Sequence, residues 1–331
     1  MLDNSTEFPH TDGDEGYEYS EVIVDGGQAP MRIDLFLSRR LGKPRTRVQA
    51  GLKAGAITVD GRCVKPSYKV RPGDHIRVII PDPPPSELVP EHIPLDIVYE
   101  DADLLIVNKA VGMVVHPGYA NYTGTLANAL YHYFQHHGIN PEEQYKPALV
   151  HRIDKNTSGL LVVPKHLDAH AHLARQFFEH TIERRYWAIT WGVPTPAEGT
   201  ITGFLARDRR DRRRMRVYEN QGKHAVTHYR VLQDFHDAAL VECRLETGRT
   251  HQIRAHMCHI GHPLVGDTMY ERSRSCHGHR GPHWELLRQF PRQALHAQTL
   301  GFIHPRTRRY LHFTQPIPYD MQQLLHSLAT R

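Results

Sequence analysis

A proline-rich segment, PDPPPSELVPEHIP, begins at residue 81 and constrains the fold more than any other feature of this chain. Proline fixes its own backbone φ angle and has no amide hydrogen to donate, so this run excludes both a helix and a central strand. We therefore predict a semi-rigid linker over residues 81–94. It separates a small domain at residues 19–80 from a large domain at residues 95–331, and 331 residues suffice for two such domains.

The segment before the small domain, residues 1–18, differs from the rest in charge. The first 31 residues contain eight acidic residues and neither lysine nor arginine. Since the segment is polar and has few apolar residues at regular spacing, we predict an acidic disordered tail. The whole chain still has a net charge of +5, so the remaining body is basic, which is typical of proteins that bind a polyanion such as nucleic acid.

The composition, with 40% hydrophobic and 23% charged residues, is that of a soluble globular protein. No run approaches the roughly 18 apolar residues of a membrane span, so we expect no membrane partner. The N-terminus lacks the basic and apolar regions of a secretory signal. The four cysteines are widely spaced and form no CxxC pair, so we interpret them as reduced thiols of a cytoplasmic protein.

Two short helices and a small sheet are predicted in the small domain. In MRIDLFLSRRLG the apolar residues recur on one helical face, and RTRVQAGLKAGA after Pro44 repeats the pattern. Asp60-Gly61 predicts a hairpin turn between strands. Over residues 31–80 this arrangement resembles the αL RNA-binding domain, known from a small-subunit ribosomal protein and from tyrosyl-tRNA synthetases. The basic side chains expected to project outward and bind RNA are Arg45, Arg47 and Lys53.

The large domain is predicted to be α+β, with a mixed, mostly antiparallel sheet. Strand candidates include LDIVYEDADLLIVNKAV, RRYWAITWG, AVTHYRVL and AALVECRLE, and a helix is predicted at about residues 167–179. There is no regular alternation of strands and helices, no GxGxxG motif and no P-loop. These absences argue against a doubly wound parallel sheet.

The segment HRIDKNTSGLLVV places a carboxylate, Asp154, between Arg152 and Lys155. We interpret the apolar residues 148–150 as a strand that ends just before it. Two nearby cations keep a carboxylate ionised, as a nucleophile or general base requires. The residues that follow are also ordinary turn formers. The segment alone is therefore compatible with either catalysis or a structural turn.

The segment LETGRTHQIRAHMCHIGHPLVGD is predicted to pass from a strand into a helix that starts near residues 247–250, with Ile253 and Met257 on its apolar face. An arginine off that face can clamp a phosphate or a carboxylate. The alternative is an ordinary amphipathic helix whose polar side faces solvent. The polar residues off the apolar face are Arg249, His251, Arg254 and His256.

In ERRYWAITWG, Tyr186 and Trp187 are neighbours on a predicted strand, so they face opposite sides. One of them could stack on a nucleobase, and the alternative is that both are core residues. The run RDRRDRRRMR, residues 207–216, has seven arginines and two aspartates and is compatible with RNA contact or with a solvated loop. A cluster with the residue types of a metal site follows, but its loop composition favours adventitious binding. It comprises Cys276, His277, His279 and His283.

Several motifs, in this order, resemble the RluA-type pseudouridine synthases. HRIDKNTSGL is similar to the family signature HRLDxxTSGL, and GRTHQIR at residues 248–254 matches a later family motif. Matches run from about residue 92 to the C-terminus. With the αL domain, the resemblance narrows to the RluD-like large-subunit enzymes, which modify a hairpin loop of 23S ribosomal RNA. The remaining matches are Asn108-Lys109, His116-Pro117-Gly118, AVTHY at 225–229, HPLVGD at 262–267 and ALHA at 294–297.

The resemblance implies that the protein isomerises uridine in RNA, without redox change and therefore without a cofactor. It implies that Asp154 is the catalytic carboxylate, that Arg254 is its basic partner, and that Tyr186 stacks on the uracil. Arg152 would occupy the space left by the flipped base, and Arg249 and His251 would contact RNA. No functional metal site is implied.

The expected partner is 23S ribosomal RNA, at a hairpin loop where flipping a base costs least, or the assembling large subunit. The protein is expected to act as a monomer. Two competing hypotheses are a non-catalytic ribosome assembly factor that binds ribosomal RNA and a metal-dependent hydrolase that uses the histidines. Asp154 argues against the first, since binding alone does not need that carboxylate.

Overall fold

The computed structural model describes residues 16–82, 88–118, 121–139, 146–271 and 281–330. Most of the predicted acidic tail lies outside these ranges. The first strand, β1, begins at Tyr17, so the end of the predicted tail is part of a sheet. The acidic residues hid this strand from composition, and no clean alternation marks it, since Tyr17 and Val22 lie on opposite faces and pack into different hydrophobic clusters.

The N-terminal domain is a four-stranded antiparallel sheet in the order β1-β4-β2-β3, covered by two helices. Both predicted helices are present, and Gly42 ends the first in a left-handed conformation, with φ 63°. Asp60 and Gly61 form the predicted hairpin turn, with φ 49° and 73°. The elements are β1 (Tyr17–Ile23), α1 (Ile33–Leu41), α2 (Arg45–Lys53), β2 (Ile57–Val59), β3 (Arg62–Cys63) and β4 (His75–Pro81).

The large domain contains one ten-stranded sheet, which confirms the predicted α+β class. The strand order is β10-β9-β11-β12-β8-β13-β7-β6-β5, with β14 paired to β13. Only the β13–β7 pair of this sheet is parallel in the described residues. The strands are β5 (Ile97–Glu100), β6 (Leu104–Lys109), β7 (Ser158–Pro164), β8 (Glu183–Trp191), β9 (Glu198–Arg207), β10 (Met215–Tyr218), β11 (Lys223–Asp234), β12 (Ala238–Leu245), β13 (Leu295–Ile303) and β14 (Tyr310–Thr314).

Five helices accompany this sheet in the described part of the chain. The helix predicted at residues 167–179 is present as α4, and the helix predicted after residue 247 begins later, at Gln252. None of the described helices is both long and apolar enough to cross a membrane. The helices are α3 (Leu126–His136), α4 (Leu167–Phe178), α5 (Gln252–His259), α6 (Trp284–Arg288) and α7 (Tyr319–Ala329).

The predicted strand at residues 148–150 is wrong. These residues are buried but pair with no strand in the described chain, and β7 starts only at Ser158. Leu149 contributes to one hydrophobic cluster and its neighbour Val150 to another. An extended segment that places alternate side chains into two cores has the sequence pattern of a strand without its ladder of hydrogen bonds.

Helix α4 lies between the large sheet and the N-terminal domain and joins their hydrophobic cores. Ala171 and Ala174 belong to one buried cluster with residues of β6 and β7 on one side and Ala50 of α2 on the other. At the end of the helix, Phe178 stacks on Tyr19 of β1 with ring centroids 4.8 Å apart. The predicted linker therefore connects two domains that pack directly against each other.

Candidate active site

Asp154 and Arg254, 100 positions apart in sequence, form an ion pair: Arg254 Nη1 donates to Asp154 Oδ2 at 2.8 Å. The other side of the same guanidinium binds Asp267, with Nε and Nη2 donating at 2.7 and 2.9 Å. The Asp267 side chain is 1% exposed and that of Asp154 is 20% exposed. Arg254 is thus held from behind by a buried carboxylate and presents its free edge to a carboxylate at the surface of a pocket.

The charge state of Asp154 follows from its surroundings. Burial alone would raise the pKa of Asp154, but His251, which is charged only below neutral pH, the permanent charges of Arg254 and Arg152, and the hydrogen bond from Arg254 hold it below its ordinary value. The carboxylate is therefore ionised at neutral pH. Since the hydrogen bond from Arg254 is charge-assisted, it also fixes the direction of the Asp154 oxygens.

The turn that carries Asp154 is fixed by donors from distant elements. The Thr157 amide donates to the Asp154 carbonyl at 3.0 Å, which closes the turn. Lys109 Nζ donates to the carbonyl of Lys155 at 3.1 Å, and Arg292 Nη1 to that of Asn156 at 3.2 Å. The residues after Asp154 therefore do form the turn that their types predicted. That turn positions the carboxylate, so the two interpretations of the segment are compatible.

The loop before α5 is built by the side chain of Gln252. Its Nε2 donates to the carbonyl of Val226 at 3.0 Å, and its Oε1 accepts from Thr247 Oγ1 at 2.8 Å and from the Arg249 amide at 3.0 Å. His251, the residue before the helix, is left in a left-handed conformation with φ 54°. The GRTHQIR segment therefore has a specific backbone shape that aims His251 and Arg254 toward Asp154.

Helix α5 is not the solvated amphipathic helix that was the alternative interpretation. Six consecutive residues, 252–257, are buried, including those off its apolar face. Arg254 pairs with two carboxylates, and His256 Nδ1 lies 2.9 Å from the Thr227 hydroxyl. Sequence periodicity missed this burial because the polar side of the helix is enclosed by polar partners rather than by water.

His251 connects Asp154 to Tyr270. The Met215 amide donates to the Tyr270 hydroxyl at 2.8 Å, and that hydroxyl lies 3.2 Å from His251 Nδ1. Nε2 lies 3.9 Å from Asp154 Oδ2. Burial lowers the pKa of His251, although Asp154 opposes the shift, so the imidazole is neutral at pH 7.

Tyr186 lies on β8, between β12 and β13, and its side chain lines the pocket that contains Asp154. Burial raises the pKa of Tyr186, so its phenol is uncharged at neutral pH. Trp187, on the opposite side of the strand, packs against a separate hydrophobic cluster. The predicted alternation is therefore present, with Tyr186 at the pocket and Trp187 in a core.

The pocket around Asp154 is partly open and is lined mainly by basic and polar side chains. It brings together six residues that the sequence analysis had singled out: Arg152, Asp154, Tyr186, Arg249, His251 and Arg254. The residues that the sequence analysis missed are mostly those behind them. Asp267 and Lys109 lie within the HPLVGD and Asn108-Lys109 motifs, which were usable signals, whereas Tyr270 and Arg292 act through contacts that leave no local pattern.

The three basic residues predicted on the N-terminal domain lie outside the pocket around Asp154. Two of them, Arg45 and Arg47, donate hydrogen bonds to other parts of the protein. Arg45 donates to the buried Asp34 carboxylate through Nε and Nη2, at 3.0 and 2.8 Å, which ties α2 to α1. Arg47 donates to the carbonyl of Pro81 at 3.2 Å. Lys53 is 63% exposed, with Nζ 3.9 Å from a carboxylate oxygen of Asp168 on α4.

Of the predicted metal cluster, only His283 lies in the described residues, and it has a protein partner. Cys276, His277 and His279 lie outside those residues, and His283 Nδ1 pairs with Asp237 at 2.6 Å. A second group with suitable geometry is Asp101, Asp103 and His304. Its carboxylates bind protein donors, since Arg306 makes a bidentate ion pair with Asp103 and His304 Nε2 lies 2.9 Å from Asp101. This group links the β5–β6 turn to the β13–β14 connection.

Comparisons with known proteins identify the fold that carries this site. A family model described as RNA pseudouridylate synthase matches residues 103–259, and an S4 domain model matches residues 31–76. An uncharacterized RNA pseudouridine synthase of Bacillus subtilis, YlyB, is 46% identical over 310 residues, which cover 93% of this chain and 97% of that protein. The chain belongs to the RluA family of RNA pseudouridine synthases.

Other relatives agree with this assignment. A ribosomal large subunit pseudouridine synthase D from Zymomonas mobilis is 46% identical over 303 residues, which cover 90% of this chain and 93% of that protein. The solved structure of human RNA Pseudouridylate Synthase Domain Containing 4 matches this fold with a TM-score of 0.56 and 27% sequence identity. The match covers 70% of this chain and 92% of the human chain. The predicted family and enzyme class are thereby confirmed: the chain is an RNA-modifying isomerase, and its αL-type domain is an S4 domain.

Proposed function

We propose that this synthase isomerises specific uridines of 23S ribosomal RNA, using Asp154 on a flipped-out base. The observation that carries the proposal is the 2.8 Å ion pair of Asp154 and Arg254, in a pocket that Tyr186 also lines. Relatives of 39–46% identity that are named ribosomal large subunit pseudouridine synthase D support the choice of a large-subunit substrate. On this proposal the protein works in the cytoplasm, as a monomer.

The proposed reaction breaks the N1–C1′ bond of the uridine, turns the uracil in place and bonds C5 to C1′, with loss of the C5 proton. The ionised Asp154 acts as nucleophile or base, and Arg254 keeps it charged and oriented. The neutral ring of Tyr186 stacks on the uracil. Arg152, exposed at the pocket, fills the space that the flipped base leaves in the RNA. No electrons are gained or lost, so the proposal includes no cofactor.

RNA binding is proposed to involve two regions. Arg249 and His251 lie beside Asp154 and are suited to contact the nucleotide in the pocket. Arg45, Arg47 and Lys53 belong to α2 of the S4 domain and would contribute phosphate contacts farther from the reaction. The S4 domain would then select the RNA, and a hairpin loop, free or in an assembling subunit, would supply a base that flips at low cost.

Tritium release from 23S RNA labelled at uridine C5 tests this proposal, because isomerisation must detach the hydrogen at C5. We expect release by the native protein and a loss of at least about 10³-fold for Asp154→Asn. The same variant should bind RNA at least as tightly as the native protein, since it removes a negative charge from the pocket. Absence of release from both naked RNA and isolated large subunits would instead favour a non-catalytic assembly factor.

A further inference from the structure

We propose that the groove between the end of β9, the start of β10 and the loop before α5 binds the phosphates of the RNA strand next to the modified uridine. The groove is open and is larger than the pocket around Asp154. This inference rests on the proposed function, which supplies RNA as the ligand. It extends that function by assigning a surface to the nucleotides that stay outside the pocket.

The side chains of the groove are suited to an anionic strand. Arg207, Arg209, Arg212 and Lys223 line it, with Asp208 as an acidic residue among them. Arg207 Nη1 donates to the carbonyl of Arg212 at 2.8 Å, and Arg209 Nη2 donates to the Gln221 side-chain oxygen at 2.9 Å. Because both acceptors are neutral, these bonds orient the guanidinium groups and leave their positive charge available to phosphates.

A second groove on the same sheet allows the charges of the two grooves to be compared. It is lined by three arginines and two glutamates: Arg185, Arg230, Arg244, Glu198 and Glu242. Glu242 lies 3.2 Å from Arg185 and 3.3 Å from Arg230, so one carboxylate pairs with two of the arginines. That groove offers mixed charge to a ligand, whereas the β9–β10 groove offers mainly cations. A polyanion is therefore expected to bind in the β9–β10 groove.

The β9–β10 groove is adjacent to the active-site pocket. Thr250 lines the groove, and its two chain neighbours, Arg249 and His251, line the pocket. When a base is flipped into such a pocket, its flanking phosphates stay at the mouth, because each nucleotide is covalently joined to the next. In the proposed path, the strand on one side leaves across Thr250, and the cations of the groove lie along that exit.

Tyr270 fixes the groove relative to Asp154. Its ring is buried, and the guanidinium groups of Arg214, the residue before β10, and of Arg254 lie 5.0 and 5.1 Å from its centroid. Its hydroxyl accepts from the amide of Met215, which also lines the groove. The backbone of β10 and the ion pair of the active site thus share one rigid side chain, which suits a groove that must align a strand with the reacting nucleotide.

The test compares two charge-matched double variants. Arg209→Gln with Arg212→Gln removes two exposed cations of the groove, and Arg288→Gln with Arg309→Gln removes two exposed cations from other elements. For a single-stranded RNA that extends past the modified uridine, the groove variant should lower the slope of log Kd against log salt concentration by about 1.4, or 0.7 per lost phosphate contact. We expect its Kd and KM to rise about tenfold at 0.1 M salt, and the control to match the native protein.

Photocrosslinking locates the strand directly. RNA that carries 4-thiouridine on one side or the other of the modified uridine should crosslink to residues 207–223 from one side only. Equal salt slopes for the two double variants, or crosslinks confined to the S4 domain, would overturn the groove assignment. These measurements report binding, so a native protein that shows the groove effect and releases no tritium would refute the proposed function and leave the groove assignment standing.

Discussion

Helix α4 and helix α5 both bury residues on nearly every side, but their partners differ. Helix α4 is covered by the large sheet and by the S4 domain, and its contact face is built from small and aromatic residues such as Ala171, Ala174 and Phe177. Helix α5 buries Gln252, Arg254 and His256 against polar groups, each in a specific geometry. An apolar interface tolerates small changes in angle, whereas a buried ion pair holds only one arrangement. The difference suits α4 to joining domains and α5 to holding the Asp154 carboxylate in one orientation.

Arg254→Met should have the largest effect, because it leaves the buried Asp267 carboxylate without its partner. We expect a loss of about 3–5 kcal/mol in the free energy of unfolding. Turnover should also fall by at least about 10³-fold, since Asp154 loses the group that orients it. Urea unfolding and tritium release measure the two effects separately.

A second substitution separates stability from chemistry at this site. Adding Asp267→Leu to Arg254→Met removes the unpaired buried charge, and replacing both members of a buried ion pair by apolar residues is often neutral for stability. We expect the double variant to regain most of the lost stability and none of the activity. Turnover near the native rate in the double variant would show that Arg254 only supports the fold.

How much of the fold and of the site could be predicted depends on whether each feature is determined by residues close together in sequence. The helices of the S4 domain and the turn at Asp60-Gly61 followed from periodicity and turn chemistry, which act within a few residues. The pairing of Asp154 with Arg254 came from resemblance to a family, because no local pattern joins residues so far apart. Asp267 behind Arg254 and the docking of Ala174 against the S4 domain depend on packing between distant segments, so periodicity could not show them.

The interface of α4 should respond to shape rather than to charge. Ala174→Leu adds volume where α4 packs tightly, and overpacking typically costs about 1–3 kcal/mol. Ala171→Leu is the matched control, because Ala171 lines a partly open cleft between α4, α2 and β4, toward which part of the larger side chain can turn. We expect a smaller loss for Ala171→Leu, and faster proteolytic separation of the S4 domain only for Ala174→Leu. Equal losses would mean that the interface is uniformly packed.

Each of the two helices carries a buried histidine that should make the stability of the protein fall in acid. Burial, with smaller effects from Arg47 and His116, lowers the pKa of His170 on α4 to about 3. Between about pH 6.5 and pH 3, His170 is protonated in the unfolded chain but neutral in the folded chain. The free energy of unfolding therefore falls as the pH drops through this window. His170→Leu should reduce the slope of the free energy of unfolding against pH in this window by about 1.4 kcal/mol per pH unit.

His256→Leu on α5 gives the matched comparison for that acid effect. Burial lowers the pKa of His256 to about 4, so its removal should flatten the pH profile in a similar way. In contrast to His170→Leu, it should also cost about 1 kcal/mol at pH 7.5, because His256 Nδ1 loses its contact with the Thr227 hydroxyl. Urea unfolding of both variants between pH 7.5 and pH 5 gives the slopes, and unchanged slopes would contradict the burial of both imidazoles.

The smallest effect is expected for Lys53→Ala at the edge of the α4 interface. Lys53 and Asp168 are 63% and 58% exposed and 3.9 Å apart, and such exposed pairs contribute less than about 1 kcal/mol. We expect a change below about 0.5 kcal/mol in the free energy of unfolding, while the salt slope of RNA binding falls by about 0.7–0.9 if Lys53 binds a phosphate. A stability loss comparable to that of Ala174→Leu would mean that charge, and not only apolar packing, holds the S4 domain on α4. That result would remove the contrast between the two helices.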